Sequence, residues 1–154
     1  MAASAARTSD PTEAFNVMAE APVLGCLTIP GRPEHVREAR AFAAKALGDL
    51  HPELDAAVLL TSELVTNAIT HSRSRRSGGT VTVVVAEYKG GVRIEVSDEG
   101  SELSAPVVRG EVYASDGHGL FLVQTLADQW GYVRDNGGTT VWFWLAAGRQ
   151  KPAR

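Results

Sequence analysis

The chain has 154 residues, 44% of them hydrophobic and 21% charged, which suits one globular domain with a sizeable core. A formal net charge of −3 gives no basic field for nucleic acid or for an anionic membrane, and no apolar run is long enough to span a bilayer. The opening residues, MAASAARTSD, lack the continuous apolar segment of a signal peptide, so the chain reads as cytoplasmic; the single cysteine, Cys26, reads as a buried thiol in an apolar stretch.

Residues 1–21 are small, polar and without period, and are expected to form a flexible arm ahead of one domain over 22–146, followed by a polar tail over 147–154. Residues 23–29 are apolar with β-branched members and are closed by Pro30-Gly31, which predicts a strand and a turn. Pro33 suits a first helical turn. Val36, Ala39, Ala43 and Leu47 follow at helical spacing, and Gly48 stops that helix. Pro52 can open the next helix, whose buried side is marked by Leu54, Val58 and Leu64 and which ends near His71. The stretch SRSRRSGG then forms a loop with three arginines, read either as a solvated basic loop or as a patch for docking a partner.

Residues 80–88 are rich in valine and threonine and predict a strand; Lys89-Gly90-Gly91 is the turn. Val92, Ile94 and Val96 alternate with Arg93, Glu95 and Ser97, which predicts a second strand with one buried face. Residues 101–116 have no period and contain Pro106 and Gly110; a loop of that length in a compact domain is often a lid. Gly117-His118-Gly119 leads into a helical run over 120–127. Residues 130–134 and 139–145 predict two strands around a tight turn. Hairpins imply antiparallel pairing, and the helices must cover one face, so the fold class is α+β, a two-layer sandwich of a mixed, mainly antiparallel sheet with helices on one face.

Three polar clusters lie at the ends of these elements. Glu63 and Asn67 are four residues apart, which stacks them on one helix face roughly 6 Å apart along the axis. Leu60, Leu64, Val65, Ala68 and Ile69 form the apolar stripe beside them. Asp98 and Gly100 follow the second strand of the first hairpin. Gly117 and Gly119 open a helix, and Thr139 and Thr140 stand in the last strand. A glycine-flanked helix N-terminus can present N–H groups to phosphate. An asparagine amide oxygen suits Mg2+, a hard ion often shared with substrate phosphates. A carboxylate fixed at a strand end can accept a hydrogen bond from an exocyclic amine such as that of adenine, a charge-assisted bond of roughly 1.5–3 kcal/mol. Glu63 is placed to act as a base beside the terminal phosphate. Neither a P-loop nor a complete dinucleotide-binding glycine fingerprint is present, so a phosphate site here is of another kind.

The segments ELVTNAITHS, SDEG, GHGLFLV and GGTTVWF, in that order and spacing, resemble the GHKL ATPase superfamily, which includes gyrase, Hsp90, histidine kinases and MutL and uses the Bergerat ATP-binding fold. More narrowly the chain resembles the stand-alone anti-sigma-factor serine/threonine kinases of the RsbW and SpoIIAB type, and among them the short actinobacterial ATP-binding proteins. The resemblance spans residues 22–146. It implies ATP and Mg2+ as the ligands, Glu63 as general base, Asn67 as Mg2+ ligand, Asp98 as the acceptor for the adenine amine, and Gly100 close to the base. It also implies phosphate contacts from Gly117 and Gly119, with His118 between them and Leu120 opening the helix, a threonine near adenine at Thr139 or Thr140, and an ATP lid over 101–116. His118 stands where related chains often carry methionine or arginine, and Arg109 is the one lid arginine available to the terminal phosphate. His71, within the helix carrying Glu63, is read as a packing or capping residue rather than a phosphoacceptor.

The partners implied by the resemblance are a STAS-type anti-sigma-factor antagonist, phosphorylated on serine or threonine, and a sigma factor, with homodimerisation common among such proteins. Two other functions are weighed. One is an ATP-binding module that switches partners without phosphotransfer. The other is the catalytic domain of a histidine kinase, which the roughly 20 residues before the first strand are too few to complete with a helical dimerisation segment.

Overall fold

β-Branched residues favour extended chain and pack on a pleated surface, and the valine-rich runs form the middle of a sheet. The computed structural model describes residues 7–8, 21–71, 76–99, 118–135 and 138–148. Six strands lie within them: β1 (Arg7–Thr8), β2 (Val23–Pro30), β3 (Thr80–Tyr88), β4 (Gly91–Asp98), β5 (Gln129–Asp135) and β6 (Gly138–Ala146). Their order across the sheet is β1-β5-β6-β4-β3-β2. Every neighbouring pair is antiparallel except β1 and β5, which are parallel, so the sheet is mixed and mainly antiparallel. The helices are α1 (Val36–Leu47), α2 (Leu54–His71) and α3 (His118–Leu126), with a 3-10 turn at Pro33–His35 before α1.

Period-2 alternation sends one set of strand side chains to the helices. Val81, Val83 and Val85 of β3, Val92, Ile94 and Val96 of β4, and Val141, Phe143 and Leu145 of β6 share one buried cluster with Leu60, Leu64, Val65, Ala68 and Ile69 of α2 and Val123 of α3. All three helices therefore cover the same face, as the α+β reading expects. Burying each of the larger side chains contributes about 1.5–3 kcal/mol, which makes this layer the main source of stability.

Several local expectations are corrected. The β3–β4 turn is Lys89-Gly90 alone, with φ values of 46° and 72°; two successive left-handed residues match the twist of a hairpin, and Gly91 already belongs to β4. In the first turns of α2 the buried apolar positions are Ala56, Ala57 and Leu60, while Leu54 and Val58 are half-buried, so the stripe is rotated there from the one expected; Leu64, further along, is buried as expected. Cys26 is exposed, not buried: β2 is an edge strand, and Cys26 alternates with Leu27 and Ile29, which face the helices. Arg93 and Glu95, expected on a solvated face, are buried. The Arg93 Nε donates to Glu95 Oε2 at 2.8 Å, and the guanidinium lies 4.0 Å from the Trp142 ring centre. Finally, β1 falls within residues 1–21, the stretch expected to form a flexible arm: Arg7 pairs with Gly131 and Thr8 with Tyr132.

Candidate functional site

α2 carries the first cluster. Hydroxyls in a helix often bond back to the preceding turn, and here Thr61 donates to the Ala57 carbonyl at 2.7 Å and Thr66 to the Ser62 carbonyl at 2.8 Å. Asn67 has no such outlet. It is 5% exposed, and its Nδ2 is buried without a hydrogen-bond partner. A buried amide left unsatisfied costs about 1–3 kcal/mol, so a polar group that recruits a ligand is a physical reason to keep one. Glu63, one turn earlier on the same helix, is half-exposed.

The strand ends carry the second cluster. Asp98 lies two residues beyond Val96, and Thr139 two residues before Val141, so period-2 alternation puts both on the helix-covered face. The two are direct cross-strand partners, and Thr139 is 6% exposed. Thr140 faces the other way. Its Oγ1 lies 2.8 Å from the Ser97 Oγ on the helix-free side of the sheet, in a hydroxyl pair that either oxygen can donate. Asp98 and Thr139 thus share a side that Thr140 does not.

Chain connectivity brings the clusters to one end of the sheet. Thr80 opens β3 soon after α2 ends, and its N–H donates to Glu99 Oε1 at 3.2 Å, next to Asp98. The C-terminal half of α2, with Asn67, therefore lies toward the Asp98 end. The Asp128 N–H donates to the Trp144 carbonyl at 3.0 Å, at the opposite end of β6 from Thr139. Since α3 runs into Asp128, its C-terminus is at the far end and its N-terminus, opened by His118 and Gly119, points back toward Asp98. α3 also packs on α2.

His118, Gly119 and Leu120 form the first turn of α3, where helix N–H groups are free of intrahelical partners. Gly100, Gly117, Arg109 and the expected lid over 101–116 lie outside the described residues, as do residues 72–75 of the basic loop. The side chain of His71, which ends α2, is not described either. Among the described residues no group of three or more His, Cys, Asp or Glu could cage a metal, and no helix is long and apolar enough to cross a membrane.

A Mg2+ ion held with a nucleotide fits the donor set that is present. The ion takes oxygen ligands and keeps few protein contacts, most of them shared with phosphate. Asn67 offers a carboxamide whose buried nitrogen lacks a partner, and half a turn of the amide plane exchanges oxygen and nitrogen.

Two features escaped the sequence reading. Gly138, read as part of a turn and of the GGTTVWF segment but given no role, lies directly against the Asp98 backbone. The choice between the two threonines was open, although counting back by twos from Leu145, Phe143 and Val141 reaches Thr139.

Comparison with known proteins bears on the family and the fold. Residues 29–145, more than half of the chain, match the family model described as histidine kinase-like ATPase domain. The serine-protein kinase RsbW of Listeria monocytogenes serovar 1/2a is 26% identical over 129 residues, covering 75% of this chain and 82% of its own. RsbW of Bacillus pumilus is 29% identical over 131 residues, covering 75% and 80%. Among solved structures, the crystal structure of the RsbU and RsbW domains of a Mycobacterium tuberculosis protein superposes with a TM-score of 0.60 at 25% identity, covering 84% of this chain and 34% of that longer one.

Proposed function

The chain belongs to the family of histidine kinase-like ATPase domains, and from that premise we propose that it is an ATP- and Mg2+-dependent serine/threonine protein kinase and anti-sigma-factor-like regulator. Its substrate would be the hydroxyl of a STAS-type anti-sigma-factor antagonist, and its second partner a sigma factor. The relatives named serine-protein kinase RsbW, each covered over most of its length, support this reading. The observation that carries it is Asn67, a buried amide with an unpartnered nitrogen, one turn from Glu63 on the helix that backs the Asp98 end of the sheet.

In this reading Asp98 accepts a hydrogen bond from the exocyclic amine of adenine, and Thr139, its neighbour on the same face, supports that contact. The resemblance implies Gly100 as the glycine close to the base. The first turn of α3, with His118, Gly119 and Leu120, meets the phosphates through backbone N–H groups, helped by the helix dipole, and the resemblance adds Gly117 to these contacts. Asn67 would hold the Mg2+ ion, which when bound neutralises phosphate charge. Glu63 accepts the proton of the attacking hydroxyl, and the remainder of the catalysis is positioning and electrostatic stabilisation. Like others of its kind the protein would act as a homodimer.

Labelled ATP incubated with the protein and a candidate antagonist tests the reaction. Phosphate should appear on the antagonist and vanish with Glu63→Ala, while ATP binding persists. ATP-dependent partner binding with no transfer would instead identify a switching module that lacks kinase activity.

A further inference from the structure

Most described glycines leave open space or a movable neighbour where a side chain would be. A Cβ on Gly48, Gly78, Gly90 or Gly148 would meet nothing within 4 Å, and one on Gly25 would meet the Phe42 ring at 2.9 Å, which a rotamer change can relieve. Gly138 differs. A Cβ there would overlap the Asp98 carbonyl oxygen, stand 3.0 Å from the Asp98 carbonyl carbon and 3.3 Å from the Glu99 Cα. All three are backbone atoms, so no side-chain rotation makes room, and the strand end itself must move.

We propose that Gly138 is a positioning residue for nucleobase selection: by letting β6 close onto the backbone of Asp98, it sets the height at which the Asp98 carboxylate meets the base. The Ser97–Thr140 hydroxyl pair, one residue further into the same two strands and on the opposite face, holds that register from behind. The proposal rests on the reading of Asp98 as the adenine acceptor. A carboxylate selects adenine because the amine at that edge donates, whereas guanine presents a carbonyl oxygen there and the two acceptors repel. Such selection depends on distance, because a hydrogen bond weakens steeply outside about 2.7–3.2 Å. Moving the Asp98 backbone to admit one methyl group is enough to lose it.

The test is the ratio of ATP to GTP affinity, measured by calorimetry with magnesium present. Wild type is compared with Gly138→Ala, Asp98→Ala, the double variant, Thr140→Ala and Thr140→Ser. Selectivity should fall at least about fivefold in Gly138→Ala, and the double variant should be no less selective than Asp98→Ala alone, since both changes act through one carboxylate. Thr140→Ala should lower the ratio in the same direction, and Thr140→Ser, which keeps the hydroxyl, should restore it. An unchanged ratio in Gly138→Ala, or a further loss in the double variant, overturns the proposal. If Gly138→Ala does not fold, the Thr140 pair decides: equal ratios for its Ala and Ser variants overturn it. If Asp98→Ala itself leaves the ratio unchanged, the adenine reading fails and takes this inference with it; an effect of Asp98→Ala without one from Gly138→Ala defeats the inference alone.

Discussion

Asp98 of β4 and Thr139 of β6 are paired directly across two antiparallel strands, with both residues on the face that the helices cover. The pairing puts an acceptor carboxylate and a hydroxyl side by side at the end of the sheet where α2 ends and α3 begins. Replacing Asp98 with Asn or Ala should weaken ATP binding about tenfold or more, the worth of one charge-assisted hydrogen bond. A binding isotherm with unaltered affinity would remove the adenine role from Asp98.

Asn67, proposed above as the Mg2+ ligand, carries an unsatisfied donor in the ligand-free protein. Its buried Nδ2 has no partner, so the nearly isosteric Asn67→Leu should keep or raise the urea midpoint, by up to about 1–3 kcal/mol in stability. The same variant, and Asn67→Ala, should lose the magnesium dependence of nucleotide binding. A Leu variant that is markedly destabilised, or that still responds fully to magnesium, contradicts the assignment.

On the helix-free face the Arg93–Glu95 pair is buried, with side-chain exposures of 5% and 12%, and the guanidinium is stacked on Trp142. Removing one partner of a buried ion pair strands the other charge and typically costs 3–5 kcal/mol. Arg93→Met should therefore lower the unfolding free energy by about that much, and the double change Arg93→Met with Glu95→Leu should recover most of it. Equal losses in the single and double variants would mean that packing, not the stranded charge, sets the cost.

The core of this fold was legible because Val81, Val83 and Val85 of β3 and Val92, Ile94 and Val96 of β4 keep a period of 2, while Leu60, Leu64 and Ala68 of α2 recur at helical spacing. The polar segments were legible as a set because the order of the motifs carries more information than any one of them. Arg93 and Glu95 misled because alternation with Val92, Ile94 and Val96 says only that they face away from the helices; a long side chain that stacks on Trp142 and pairs with its neighbour can be buried there too. Cys26 misled in the opposite sense, since its apolar neighbours could not reveal that β2 lies at the sheet edge. β1, at two residues, is too short to have any period. Gly138 was hidden because its role is a contact with the backbone of a residue 40 positions away, which no local pattern encodes.

The most direct measurement of the central claim, that these separate polar segments meet around one magnesium-bound nucleotide, is calorimetric titration of ATP into the protein with and without Mg2+. The account predicts saturable heat at one site per chain that weakens when magnesium is withheld. Absence of heat from either ATP or ADP with magnesium present would contradict it.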